Sequence, residues 1–196
     1  TIVIVAALIS LLLPSPLTQV LLIVLAGLAG LSLYRKIEVK NSTDFQVNIS
    51  KRYAIGALIL FFILLTVLPF LKGLYPSKGL MLFDSFYRTG SLVFGGGHVV
   101  LPLLESEVVN PGWITQEEFL AGYGAAQAVP GPLFTFSAYL GAIINGWVGA
   151  LLTTFAVFLP SFLLVIGALP FWNVLRQNPS VQGALLGINA GAVGIL

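Results

Sequence analysis

Two stretches carry residue types that make sense together as a binding site. Phe94-Gly95-Gly96-Gly97-His98 and Gln127-Ala128-Val129-Pro130-Gly131-Pro132 both lie in strongly apolar sequence. A helix interior loses about 1 kcal/mol for glycine and about 3 for proline, relative to alanine. Each stretch therefore predicts a broken helix. In lipid, where unpaired backbone groups find no water, broken helices persist only when buried in protein or lining a cavity. A helix that restarts after a break offers unpaired N–H groups and the positive end of its dipole. Such an end is an anion site, and transporters with discontinuous helices use it at the bilayer midplane. Here the restarts follow Gly97 and Pro132. Nearby, Tyr123, Gln127, Thr135, Ser137 and Asn145 are neutral polar groups able to hydrogen-bond an oxyanion. Any one of them alone reads as glue between helices; grouped around two breaks they read as a site. The substrate-binding candidates are Arg88, Gly95, Gly96, Gly97, His98, Gln127, Pro130, Gly131, Pro132, Thr135 and Asn145.

An anion in a low-dielectric pocket needs compensating positive potential. Within residues 80–169 the fixed cation is Arg88, supplemented by His98 if protonated and by the half-helix N-termini. Asp84 and Arg88 stand four residues apart and can pair along one helix face. Charges near a membrane core often mark a substrate or proton path, and an interfacial pair at the membrane edge is the plainer alternative. Asp84 and Glu105 are the proton-coupling candidates. His98 is the one histidine and there is no cysteine. Thiolate chemistry is thereby excluded, no HExxH or GxxxxGK pattern occurs, and neither a metal site nor a cofactor is expected. The chain is expected not to be an enzyme. A membrane-embedded hydrolase using His98 with Glu105 or Glu107 is the alternative from that class, and a non-transporting scaffold is another.

The elements that must hold these residues follow from composition. Of 196 residues, 58% are hydrophobic and 8% charged, with mean hydropathy +1.01. A soluble domain carries about 25% charge. The sequence predicts an all-α, polytopic integral membrane protein with discontinuous or re-entrant helices. Between Glu118 and Arg176 no residue is charged, and at about 20 residues per crossing that run holds more than one span. The formal charge of +2 carries no implication for nucleic acid, because the basic residues gather in one loop.

Taken in order, Thr1–Leu13 and Leu17–Tyr34 predict a helical hairpin turning at Pro14-Ser15-Pro16. Arg35–Arg52 is hydrophilic, with five basic residues against Glu38 and Asp44, which predicts a cytoplasmic loop. Tyr53–Leu71 predicts a span and Lys72–Lys78 a turn, whose two lysines fit that sidedness poorly. Leu80–Leu104 predicts a helix broken at Gly95–Gly97 and ended by Pro102, followed by a polar loop over Glu105–Pro111. Trp113 suits a headgroup-level anchor. Thr115 with Glu118 predicts a capping box that opens a helix running to Pro130, too short to cross unaided. Leu133–Ile144 predicts a second short piece ending before Asn145-Gly146-Trp147. Val148–Leu169 predicts a full span kinked at Pro160, and Pro170–Pro179 a loop. Gly183, Gly187 and Gly191 form a GxxxGxxxG ladder for close helix approach, with Asn189 expected as an interior polar group.

At three blocks the sequence resembles a known family. These are Phe94-Gly95-Gly96-Gly97 through Leu101-Pro102-Leu103-Leu104-Glu105, then Trp113-Ile114-Thr115-Gln116-Glu117-Glu118-Phe119, then Gln127 to Pro132. In order and spacing they are similar to the signature blocks of the chromate ion transporter family, and the likeness continues through Tyr139-Leu140-Gly141 and Gly146. It covers about residues 80–196. The family is built of two homologous halves, and FGGG resembles the second. The resemblance implies that residues 1–34 are the closing hairpin of a preceding half, 35–52 a cytoplasmic linker, and 53–196 a second half truncated at its C-terminus. It implies multi-pass placement in the cytoplasmic (inner) membrane and chromate efflux driven by ion gradients. Sulfate, also a tetrahedral dianion, is the other substrate. The implied partners are the oxyanion, the bilayer and the remaining half of the transporter, with a homodimer as a further possibility. The apolar segments at both ends predict a piece of a longer chain.

Overall fold

The computed structural model describes residues 2–13, 16–34, 49–92, 97–129 and 132–195. Among them the regular structure is helical and no strand occurs. The helices are α1 (Ile2–Leu12), α2 (Pro16–Leu33), α3 (Lys51–Leu74), α4 (Lys78–Leu92), α5 (Gly97–Val108), α6 (Gln116–Ala128), α7 (Phe136–Ala168), α8 (Trp172–Gln177) and α9 (Pro179–Ile195). A 3-10 turn, Leu133–Thr135, precedes α7. The loop expected over Arg35–Arg52 lies mostly outside the described residues. Two helical stretches, Lys51–Leu74 and Phe136–Phe171, are long and apolar enough to cross a membrane.

The chain forms two compact units. The first comprises Thr1–Ile55 and Ile166–Leu196, and within it α9 is the centre. The expected hairpin helices α1 and α2 pack chiefly on α9 rather than on each other. The reason lies in the ladder: Gly183, Gly187 and Gly191 are all buried. Gly187 lies against the backbone of Ala26 and Gly30, and Gly183 against that of Gly30 and Tyr34. Residue numbers fall on α2 as they rise on α9, so the two run antiparallel. Small residues on both helices let the backbones approach closely, as dispersion contacts in lipid require. Asn189 is exposed, contrary to expectation, because two residues from Gly187 is just over half a turn around the helix.

The second unit comprises Gly56–Val93 and Gly97–Val165. Its core gathers Phe61 and Leu68 of α3, Leu82 and Phe86 of α4, Val100 and Leu104 of α5, Phe119 of α6 and Phe136 and Leu140 of α7. Several predicted boundaries move. Helix α3 continues through Pro69 to Leu74, so Lys72 is helical rather than in a turn. Pro102 does not end α5, and Glu105–Val108 are helical. Proline withholds one N–H and crowds the preceding turn, but residues beyond it still bond backwards. Likewise Pro170–Pro179 is mostly helical, as a 3-10 turn and α8.

Helix α7 is the decisive element. Asn145 (φ −146°, ψ 29°) and Gly146 (φ 61°, ψ −155°) leave helical geometry, and the chain folds back there. Thr153 Oγ1 donates to the Ser137 carbonyl at 2.7 Å, while Gly149 faces Gly141 backbone to backbone. Residues 137 and 153 would stand roughly 24 Å apart on an unbroken helix. Thus α7 is a short first leg ending at Ile144 and a long second leg from Trp147, as the sequence predicts. The positive φ at residue 146 favours glycine. Pro160 is accommodated without a further break in helical dihedrals.

Candidate functional site

The two predicted breaks are flanked by helix ends that meet. A cleft of about 380 Å³ brings together Lys72 and Gly73 of α3, Met81 and Ser85 of α4, Glu107 of α5, and Pro111 and Trp113 before α6. The start of α4 and the end of α5 therefore share one level, and the two helices run antiparallel. The next pair behaves alike. Phe136, eight residues beyond Ala128, stacks edge-on against Phe119 at 5.1 Å and also meets Tyr123. The chain has doubled back alongside α6. The Tyr139 hydroxyl donates to the Glu118 carbonyl at 3.0 Å, and its ring covers Gly122. At the far ends of these pairs α5 touches the Leu133–Thr135 turn. Gly90 of α4 abuts the Val157 backbone and Phe134 packs on Phe158 at 5.8 Å. Val157 and Phe158 stand halfway along the long leg of α7. The helix ends beside both breaks thus lie near the middle of a span-length helix.

Of the candidates, Gly95, Gly96, Pro130 and Gly131 lie outside the described residues, and so does the side chain of His98. Gly97 begins α5, which puts a helix N-terminus at the first break. Pro132, Thr135 and Gln127 are exposed. Thr135 Oγ1 donates to the Pro132 carbonyl at 3.0 Å, and Gln127 Nε2 donates to the Tyr123 hydroxyl. These polar groups cluster at the second break. Asn145 does not join them. It is exposed at the fold in α7, roughly 15 Å from Thr135 along the leg. Ser137 is buried and donates to the Phe134 carbonyl at 2.6 Å, a packing role.

The capping box forms as predicted. Thr115 N–H and Oγ1 both donate to Glu118 Oε2, at 2.8 and 3.0 Å, and Oγ1 accepts from Glu118 N–H at 3.2 Å. The Thr115 backbone N–H, then its hydroxyl, hold the Glu118 carboxyl below its ordinary value. Glu105 accepts from Gln116 Nε2 at 2.7 Å, tying α5 to the start of α6.

Asp84 pairs with Arg88 as the spacing predicts, but Lys72 joins them. Lys72 Nζ donates to Asp84 Oδ2 at 2.5 Å, and Arg88 Nη2 donates to the same oxygen. The carboxylate side chain is 2% exposed, against 31% for Lys72 and 30% for Arg88. Burying a carboxylate this deeply is costly, and two cationic partners offset the cost. Sequence reasoning missed Lys72 because Pro69 and Gly73 around it read as a helix end. The signal was its misfit with the charge-sidedness pattern: a lysine on the unexpected side is held there by something. The neighbouring hydroxyl of Tyr87 donates to the Phe61 carbonyl at 3.0 Å, satisfying a buried group between α4 and α3.

Apolar helices interrupted where their ends converge, two stretches of them long enough to cross a membrane, give the described residues an all-α, membrane-type architecture. The chain belongs to the chromate transporter family, whose model matches residues 80–196. It is 32% identical over 117 residues to a chromate transport protein of Pseudomonas aeruginosa, covering 60% of this chain and 28% of that protein. It is 41% identical over 100 residues to the uncharacterized transporter YwrB of Bacillus subtilis (50% and 51%). It is 28% identical over 170 residues to the uncharacterized transporter MJ0718 of Methanocaldococcus jannaschii (85% and 42%). The matches to these relatives thus span between about a quarter and a half of their lengths. No solved structure matches the chain.

Proposed function

We propose that the transporter containing this chain moves a tetrahedral oxyanion, chromate first and sulfate second, out across the cytoplasmic membrane by using ion gradients. The observation that carries this reading is the convergence of the restarted helices at Gly97 and Leu133 beside the midpoint of the long α7 leg. With that leg across the bilayer, both N-termini fall at membrane depth. Their free N–H groups and dipoles favour an anion there. Thr135, Gln127 and Tyr123 offer neutral hydrogen bonds there. Relatives that carry the name chromate transport protein support placing chromate first. Asp84 and Glu105 are the proton-coupling groups in this reading. Residues 1–34 close a preceding half, 35–52 form a cytoplasmic linker, and the rest of the site comes from the other half of the transporter or a second copy.

The test is flux of radiolabelled chromate and sulfate in vesicles holding the full-length transporter. Uptake of chromate that responds to an imposed ion gradient is expected. Leucine at Gly96 or Gly131 should abolish flux while leaving the protein in the membrane. Gradient-independent background counts for both ions would refute the reading.

A further inference from the structure

We infer that Lys72 and Arg88 form a second oxyanion seat, at the end of the unit where α3 meets α4, and that Asp84 is a resident counter-ion the arriving anion displaces. The inference rests on the transport reading above and adds a site to it. Both cations converge on one oxygen, Asp84 Oδ2. A carboxylate oxygen and an oxygen of a tetrahedral oxyanion have the same preference for charged N–H donors. The seat is built, and the protein's own anion sits in it.

Three features favour exchange over a permanent lock. First, Arg88 uses half of its fork. Its Nη2 reaches Asp84, but its Nε, on the same edge, is buried with no acceptor among the described residues. A buried unpaired donor is costly. An oxyanion with two oxygens side by side would satisfy the whole edge, which is the strong bidentate mode of arginine. Second, the cations rather than the carboxylate are reachable: each is about a third exposed, while Asp84 is buried beneath them. Lys72 also borders the cleft of about 380 Å³ with Ser85 and Trp113, which gives a tetrahedral ion room to approach. Third, the charges match. Lys72 and Arg88 together carry two positive charges, the complement of a dianion, whereas ionised Asp84 neutralises one. Glu107 lines the same cleft, so an anion held by one cation alone would face two carboxylates. Both cations are needed.

The competing account is a structural ion-pair cluster, and it makes opposite predictions for a charge-balanced pair of changes. In equilibrium binding to the purified full-length transporter, which needs no turnover, Asp84→Asn removes the competitor while keeping the shape, and the apparent Kd for chromate and sulfate should fall on the order of tenfold. Lys72→Gln should raise it by a similar factor. Lys72→Gln with Asp84→Asn restores charge balance but not the seat, so Kd should stay raised. A second measurement reads the seat directly: sulfate should protect Lys72 of the purified wild-type protein from an amine-acylating reagent, scored by peptide mass. If Asp84→Asn does not fold, that protection decides alone. Wild-type Kd in the double variant, or acylation of Lys72 indifferent to sulfate, would overturn the inference. Protection of Lys72 in a protein that moves no oxyanion would overturn the transport reading and leave the seat standing.

Discussion

Leucine at Gly187 should separate α2 from α9, and the structure gives the size of the effect. A Cβ built at Gly187 would lie 2.8 Å from the Gly30 Cα and 3.0 Å from the Ala26 carbonyl carbon, and closer still to the Ala26 oxygen. These are backbone atoms on a packed helix and cannot swing aside. Relief of the nearest contact, with the Ala26 oxygen, to an ordinary distance of about 3.4 Å needs the helices to part by roughly 1.4 Å, and a gap of only about 1 Å already forfeits a quarter to a half of each dispersion contact. Overpacking of this kind costs about 1–3 kcal/mol for a small addition. A leucine should exceed that range, and Gly187→Ala should fall within it. The neighbours grade the argument. Gly191 would meet one close atom, the Ala26 methyl carbon at 2.7 Å, and Gly183 one, the Gly30 oxygen at 2.9 Å; these are fewer and longer contacts than at Gly187, so alanine at either should cost less. Gly124 has no neighbour within 4 Å. Alanine there should be neutral or stabilising by up to about 1 kcal/mol through helix propensity. Thermal unfolding in detergent, with folded yield from membranes, measures the series. If Gly187→Leu melts with the wild type, or the order Gly187, Gly183, Gly124 is not followed, close backbone contact does not hold the first unit together.

Thr153→Val should destabilise the α7 fold-back by about 1–3 kcal/mol, since a buried carbonyl of Ser137 loses its donor from across the fold; unchanged unfolding of the second unit would count against the geometry. Thr115→Ala should speed amide exchange in the first turn of α6 about fivefold by removing the cap. The linked pH effect has a definite sign. The Glu118 carboxyl is depressed in the folded state, so its contribution is present above the ordinary glutamate value and is lost as pH falls through the lowered one. A protection factor in that turn that does not fall on acidification, once the intrinsic slowing of exchange in acid is divided out, would refute the assignment. Single cysteines within Arg35–Arg52 should resist an impermeant thiol reagent on intact cells, because positive loops stay inside; labelling from outside would invert the topology.

The sequence was most legible where local chemistry decides. Thr115 and Glu118 lie three residues apart, so the capping box is written in one turn of chain. Asn145-Gly146 stands out because few residues other than glycine take positive φ. The ladder on α9 reads directly as a contact surface, yet its partner surface of Ala26 and Gly30 on α2 does not stand out among leucines and valines. Lys72 pairs with a residue twelve positions on, across a turn, and no local pattern carries that distance. Pro102 misled because proline is a strong stop signal in isolation, whereas here its neighbours in the core, Val100 and Leu104, keep the helix going. Long-range packing overrode local propensity at each of these places.

The fold in α7 bears on how such a chain gets into a bilayer. Insertion machinery tests a nascent chain in windows of about 20 residues. Helices α4, α5 and α6, at 15, 12 and 13 residues, fall short of that window, and so does the first leg of α7. None has the length to partition into lipid on its own account. Helix α3 and the second leg of α7 do, and they are separated in the chain by all four short pieces. With both of these inserted, as the proposed transport function requires, biogenesis would leave a stretch of some 70 residues waiting between two posts. Its helices could go to depth only by packing on those posts and on one another, after the second post is in place.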